Sequence, residues 1–318
     1  FSTYGNTLRP TVPRIIFVER NSDKWLKHIA VRGIRVYSSN RDPSVAGVNV
    51  DPSITLGVSS LDNIDDLLIE DCKVGFGKDN IVFQKFGGKR QKNLVIRRNI
   101  VHHAWSGGQG HSQGIYVSGV EGLLLEENVF FHNGWEIDKP NTRTIFNHNA
   151  YIQYSCSDVV VRANVFARGS SHGLQLRPGG VAENNLFVEN AIALFVGNSG
   201  NNPHVSRYAN VNRNVLIHGS HIGDQKRGWG LEIKRTRHGF ITHNVVLKRN
   251  TNPPRAGISM WDTLFADDLA DGDHSKIQVS NNVVYDWLGP TWGPGEGSSG
   301  FSIHPDNAED VVLSGNID

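Results

Sequence analysis

The sequence predicts an all-β fold: a single-domain parallel β-helix, a solenoid of about ten rungs with a ladder of asparagines turned inward. Three observations lead there. One strand segment recurs along the chain, an asparagine returns at the same place within it, and a second kind of strand alternates with it.

The recurring segments are LLIEDCKV (67–74), LVIRRNIV (94–101), LLLEENVF (123–130), VVVRANVF (159–166), GVAENNLF (180–187), ANVNRNVL (209–216), GFITHNVV (239–246), IQVSNNVV (277–284) and VVLSGNID (311–318). Aligned, they share a column of Cys72, Asn99, Asn128, Asn164, Asn185, Asn214, Asn244, Asn282 and Asn316. Apolar residues stand two before and two after this column in most rows, an alternation that suits strands and not helices. An asparagine held inward in row after row needs amide partners, and the rows above and below supply them as a ladder. Cys72 occupies the same inward column and is expected as a buried thiol; Cys72 and Cys156 do not make a disulfide framework.

The second strand kind is GVNVDP (47–52), NIVFQ (80–84), GIYVSG (114–119), NAYIQY (149–154), GLQLRP (173–178), AIALFV (191–196), GLEIKR (230–235), GISMWD (257–262) and GFSIHP (300–305). The two strand sets alternate with no amphipathic helix between them, so each strand pairs in parallel with its counterpart in the next rung. A propeller would need four strands per repeat at a near-constant period, and a sandwich has no reason to turn one polar residue inward in every row. IAVRGIRVYSS (29–39) reads as an earlier, less regular rung, and YGNTLRPTV (4–12) as a turn of the same coil. Insertions at 131–147, 198–208, 218–228, 262–276 and 286–299, two of which carry Trp135, Trp287 and Trp292, are expected to wall a binding groove.

Bulk composition excludes several classes. The chain has 318 residues, and Lys+Arg (32) nearly balances Asp+Glu (31), so no basic surplus suggests nucleic acid. No apolar run reaches membrane-spanning length. The sequence opens at Phe1 without a start methionine or signal peptide, which reads as a mature form or a fragment lacking part of the N-terminal rungs or cap.

Chemistry is expected on one face. In the second strand set Ile81, Phe83, Ile115, Val117, Ala150, Ile152, Leu174, Leu176, Leu231 and Ile233 are expected inward. Val82, Gln84, Tyr116, Ser118, Tyr151, Gln153, Gln175, Arg177, Ala193, Phe195, Glu232, Lys234, Ser259 and Trp261 are expected outward. Rungs lie ~4.8 Å apart, so residues of one column are neighbours in space. One place before the strands stand Asp79, Gln113, His148 and His172, with Lys78 and His111 just upstream. Tyr, Gln, His and Arg in the central rungs, where a solenoid usually shows Lys, Glu and Ser, read as a sugar-binding cleft. Such a set suits removal of a proton next to a carboxylate: the carboxylate charge must be neutralised before a base acts. Arg177 is the candidate neutraliser, with Gln153, Gln175 and Asn149 as auxiliary donors. His148 and His172 are candidate bases; Tyr116 or Tyr151 could supply the acid, or the base if Arg177 lowers its pKa. Lys78, His111, Gln113, Glu232, Lys234 and Trp261 complete the expected substrate contacts.

Among His102, His103, His111, His148 and His172 no pair has a zinc-ligand spacing with a third ligand in place. Asp62, Asp65, Asp66 and Asp71 could offer calcium oxygens, though acidic loop ends are more often solvated. No metal site is assigned and no cofactor is required, with calcium left open.

With the rungs laid out, the chain resembles the pectate-lyase-like right-handed parallel β-helix superfamily over nearly its whole length. Within it, SHGLQLRPGGVAENNLF (171–187) and NHNAYIQY (147–154) are similar to the central rungs of polysaccharide lyases related to chondroitinase B and the β-helical alginate lyases. That resemblance implies β-elimination on an anionic, uronate-containing polysaccharide by a secreted or periplasmic bacterial enzyme. In those lyases a lysine and an arginine act with calcium. Arg177 matches the arginine, but no residue matches the lysine, and the nearby position holds His148 or Tyr151, a departure that weighs against calcium and favours a His/Tyr mechanism. Three alternatives share the fold. A hydrolase needs paired carboxylates, and the outward face offers Glu232 alone, with Asp79 several rungs away. A C5-epimerase uses the same proton-abstraction set. A non-catalytic carbohydrate-binding or adhesion solenoid would need the stacking and amide residues but not His148, His172 and Arg177 together.

Overall fold

The computed structural model describes residues 10–19, 23–47, 56–107, 110–198, 206–225, 227–248, 256–260, 277–287, 289–290, 298–303 and 311–317. Its strands form three 10-stranded parallel sheets, and a short antiparallel pair joins Gly289–Pro290 to Ser298–Ser299. One rung runs through Val120–Glu126 in a first sheet, Val129–Phe131 in a second and His148–Ile152 in a third. The expected coil is present, but each asparagine segment is two strands and not one. The residue before the column bends the chain: Asp71, Arg98, Glu127, Ala163, Asn184, Arg213, His243 and Asn281 all adopt the left-handed conformation, with φ between 53° and 57°. The apolar positions on either side of this corner both face inward, so the alternation continues across it and hides it.

The ladder holds that corner. Asn164 Nδ2 donates to Asn185 Oδ1 (3.0 Å) and to Leu125 O (2.9 Å), while its Oδ1 accepts from the backbone and side-chain amides of Asn128 (2.9 and 3.0 Å). The pattern repeats from Asn99 to Asn316 and begins at Cys72, whose backbone N–H donates to Asn99 Oδ1. Cys72 and Cys156 are buried thiols outside any disulfide. One row earlier the column holds a buried Ile34 between Leu26–Arg32 and Arg35–Tyr37, the rung expected at 29–39. Of the turn expected at 4–12, residues 10–12 are described, and Thr11–Val12 pairs with Arg35 and Val36.

The positions expected inward in the third sheet are buried, and Phe130, Phe166 and Phe187 stack with ring centroids 5.0 Å apart. A second amide column runs inside the coil where the third sheet begins. Asn80 Nδ2 donates to Asn133 Oδ1 (3.1 Å), Asn133 to Asn149 (2.9 Å) and Asn149 to Asn190 (3.1 Å). Gly114 and Gly173 stand in register with Asn149 and leave room: a Cβ there would lie 2.8 Å from Asn133 Nδ2 and 3.0 Å from Asn190 Nδ2.

Three placements differ from the sequence reading. The strand of the second kind in the 47–52 rung is Leu56–Ser60, and residues 48–52 lie outside the described residues. Trp287 is fully buried in the core, donating Nε1–H to Gly228 O (2.9 Å), and does not wall a groove. Val82, Ala193, Phe195, Gln175, Glu232 and Lys234, expected on an open face, are buried. Ala193 belongs to the hydrophobic core, whereas Gln175, Phe195, Glu232 and Lys234 line a pocket with Ile145 and Phe146 of the 131–147 insertion and Arg227 of the 218–228 insertion. Trp261 and Trp292 lie outside the described residues.

Asn164→Ala removes both donors and the acceptor at mid-ladder. It should lower the free energy of unfolding by about 1–3 kcal/mol, the penalty for stranding buried amide partners. Asn316→Ala, at the half-exposed end of the column, should cost less; urea unfolding of the two variants side by side tests the difference.

Candidate active site

The third sheet carries a pocket of about 310 Å³ on its outer surface. Its floor has three rows, set by parallel register. The upstream row is His148, His172, Ile192 and Trp229; the middle row is Tyr151, Gln175, Phe195 and Glu232; the downstream row includes Arg177 and Lys234. His111, Ile145, Phe146 and Arg227 form the walls. The insertions therefore do wall a site, but with residues other than their tryptophans. Trp135 instead stacks on His132 at 3.9 Å and lines a separate depression with Arg143 and Arg168.

Arg143 braces these walls. It donates to Gly169 O, Ser170 O and Ser220 Oγ through Nη2 (3.2, 3.0 and 3.1 Å) and to His221 O through Nη1 (3.3 Å). His221 Nδ1 accepts the backbone N–H of Arg227 (3.0 Å), which carries the brace to the pocket rim.

His148 and His172 are 4 % and 5 % exposed, and their rings meet edge to face with Nδ1 atoms 3.0 Å apart. Ser171 Oγ lies 2.8 Å from His172 Nδ1. Burial, then the positive charge of Arg177, holds His148 down at about 3, and burial with its neighbour His148 keeps His172 well below the usual histidine range. Both rings are neutral at neutral pH. Tyr151 packs edge-on against His148 (5.3 Å) and Tyr116 (5.2 Å), with the Arg177 guanidinium 5.2 Å from its ring centre. Burial raises the Tyr151 and Tyr116 phenols although Arg177 pulls both down. Arg177 donates Nη1–H to Asn198 Oδ1 (2.8 Å), while its Nε and Gln175 Oε1 are buried with no hydrogen-bond partner. Lys234 Nζ lies 3.4 Å from Glu232 Oε1. Arg177, Arg227 and Lys234 against Glu232 leave the pocket with an excess of positive charge.

The pocket thus gathers His148, His172, Tyr151, Gln175, Arg177, His111, Glu232 and Lys234. Other expected contacts sit elsewhere. Asn149 is fully buried in the inner amide column and is not an outward donor, because its side chain turns in at the corner that opens the strand. Gln113 is buried as a clamp, donating to Phe146 O and accepting the His148 backbone N–H. Gln153 Oε1 accepts from the backbone and hydroxyl of Ser155. Tyr116 packs against Tyr151 beside the pocket, and neither Tyr116 nor Lys78 is in its lining. Sequence reasoning missed Ile192 and Trp229, although both continue the His148–His172 column by register, and it missed Arg227, which lies in an insertion already expected to form a wall.

Residues 32–207 match the family described as "Right handed beta helix region". The chain belongs to that family. As a β-helix family member it is similar to three solved structures. The A-module of mannuronan C-5 epimerase AlgE4 from Azotobacter vinelandii is 14% identical, with 92% of this chain and 73% of that one covered and a TM-score of 0.42. Two structures of DFA-IIIase from Arthrobacter chlorophenolicus, each 14% identical, have TM-scores of 0.37 for a mutant in complex with DFA-III and 0.39 for the enzyme without its lid. They cover 91% of this chain in both cases, and 72% and 70% of their own. No curated protein matches the sequence.

Calcium binds through six to eight oxygens, and the described lining of this β-helix pocket offers one carboxylate, Glu232, beside Lys234 and near two arginines. Those residues do not fit the ion. The acidic residues considered for calcium are engaged separately: Asp62 with Lys89, Asp65 with Asn93, Asp66 with His28 and Asp71 with Arg98.

The buried histidines set an acid limit on stability. His148 binds its proton at about 3 in the folded chain against 6.5 ordinarily, so between those values the unfolded state holds more protons and stability falls as pH falls. Within that window each such histidine should contribute a slope of about 1.4 kcal/mol per pH unit. His148→Gln should flatten the pH dependence of urea unfolding between pH 6.5 and 4.5; an unchanged slope would show that the ring is not held neutral.

Proposed function

We propose that this chain is a polysaccharide lyase that cleaves a uronic-acid-containing glycan by β-elimination, acting as a secreted or periplasmic enzyme. The carrying observation is the meeting of Arg177, Tyr151, Gln175 and the His148–His172 pair in one pocket with an excess of positive charge. A uronate carboxylate entering it would meet Arg177, whose buried Nε has no protein partner, and Lys234 or Arg227 beyond. Neutralising that carboxylate acidifies the adjacent carbon-bound proton and stabilises the enolate-like charge that develops as the proton leaves. A neutral histidine takes the proton, and a second group, histidine or tyrosine, returns one to the departing glycosidic oxygen. The likeness of residues 147–154 and 171–187 to the central rungs of chondroitinase B and alginate lyases supports the same reading. No lysine here matches that of those enzymes, and His148 and Tyr151 nearby favour a mechanism carried by the protein's own side chains.

A base with a pKa near 3 is deprotonated throughout the neutral range and only weakly basic. A bound carboxylate offsets the cationic field around it and strengthens it during reaction.

Incubation with a panel of alginate, pectin and glycosaminoglycans should produce the ultraviolet absorbance of unsaturated uronates on at least one of them, equally with and without a chelator. His148→Ala should lower kcat by roughly 10²–10⁴-fold, the usual worth of a general base, with little change in Tm at neutral pH. Absence of unsaturated product across the panel would sink the lyase reading. The kcat/KM profile should show no acid limb near 6.5, because the free base titrates far below it.

A further inference from the structure

The contact between the two histidines decides which ring nitrogen carries which proton. Both rings are neutral, so each holds one N–H, on Nδ1 or on Nε2. With Nδ1 atoms 3.0 Å apart, one Nδ1 must donate and the other accept; two bare or two protonated nitrogens would repel. The rings therefore hold opposite tautomers. One presents a bare Nε2 and the other an Nε2–H, a base and an acid side by side, and the described hydrogen bonds of both rings run through Nδ1.

Ser171 breaks the symmetry. Its hydroxyl is fully buried, and the hydrogen bond it makes is to His172 Nδ1 at 2.8 Å. If His172 Nδ1 were protonated, Ser171 would accept from it and its own hydroxyl proton would be left buried without an acceptor, which is costly. If His172 Nδ1 is bare, its one lone pair is shared by Ser171 Oγ–H and His148 Nδ1–H, and neither buried donor is left without an acceptor. We infer that Ser171 is a positioning residue that fixes His172 as the Nε2–H donor and His148 as the ring with a bare Nε2. Under the lyase function proposed above, on which this role assignment rests, His148 Nε2 takes the proton next to the carboxylate and His172 Nε2–H gives one to the leaving oxygen. The proton balance closes. The carbon–hydrogen bond and the glycosidic carbon–oxygen bond break, a carbon–carbon double bond forms, His148 Nε2 gains a proton and His172 Nε2 gives one up. His148 Nδ1–H passes to His172 Nδ1 in the same event, across the 3.0 Å contact, so no imidazolate forms and both rings end neutral with the opposite tautomers; proton exchange with solvent at Nε2 resets the pair.

The tautomers are read directly from long-range 1H–15N correlations in histidine-labelled protein. His172 is expected with bare Nδ1 and protonated Nε2, and His148 with the reverse. Ser171→Ala should replace this single pattern by averaged shifts on both rings, and Ser171→Thr, which keeps the hydroxyl, should retain it. A protonated Nδ1 on His172 in the unsubstituted protein overturns the proposal, as does an unchanged pattern in Ser171→Ala. On a cleaved uronan, Ser171→Ala should lower kcat about five- to tenfold, the worth of one hydrogen bond, with KM held and Ser171→Thr restoring the rate. With a 4-O-nitrophenyl uronate, whose leaving group needs no protonation, His172→Ala should recover the rate of the unsubstituted protein while His148→Ala should not; recovery in His148→Ala alone would reverse the roles. If no substrate yields unsaturated product, the lyase function fails, and the labelled-histidine spectra still decide the proton assignment.

Discussion

The rest of the molecule depends on an amide that bonds in two directions at a strained corner. Residues such as Arg98, Glu127 and Arg213 sit at positive φ, a conformation that costs L-residues free energy unless the surroundings enforce it. Each ladder asparagine enforces it by accepting from the backbone and side-chain amides of one neighbouring rung and donating to the next. The corner turns the chain from the first sheet to the second, and the ladder fixes how one rung sits on another. Parallel register in the third sheet follows, and register is what places Tyr151 beside Gln175 and Phe195 beside Glu232.

On that frame the pocket is made by cover and not by concavity of the sheet. A flat outer face would leave the histidines in water with ordinary proton affinities. The insertion carrying Ile145 and Phe146, and the one carrying Arg227, close over them and are tied to the body through Arg143. Burial and the nearby cations then keep both rings neutral. The same cations favour an anionic group, and a negative charge bound beside them would offset their part of the effect on the histidines. Arg177 links both effects, since it faces Tyr151 and also opposes a proton on His148.

The inner amide column contributes differently. Asn80, Asn133, Asn149 and Asn190 do not share one sequence position: two open strands of the third sheet and two lie at the corner before it. Gly114 and Gly173 fill the alternate places because any side chain there would meet an amide. This column lies directly beneath the upstream end of the floor, with Asn149 next in sequence to His148, so it gives the histidine pair a rigid support.

What the sequence determined by itself is the stacking. Two-residue alternation and one polar column are local signals, written in each row, and they suffice for a parallel coil with Ile115, Ala150 and Leu174 inside and Tyr151, Gln175 and Arg177 on the other face. Tertiary structure alone decided the features that join distant residues. The corner before each asparagine keeps the inward pattern unbroken and so leaves no trace in the alternation. The inner column is spread over unequal positions, which placed Asn149 with the outward donors when it bonds inward. Burial of Glu232 and Lys234 depends on insertions whose course no periodicity encodes. The proton arrangement of His148 and His172 needs Ser171 and a register contact across two rungs, a relation that exists only once the coil has closed.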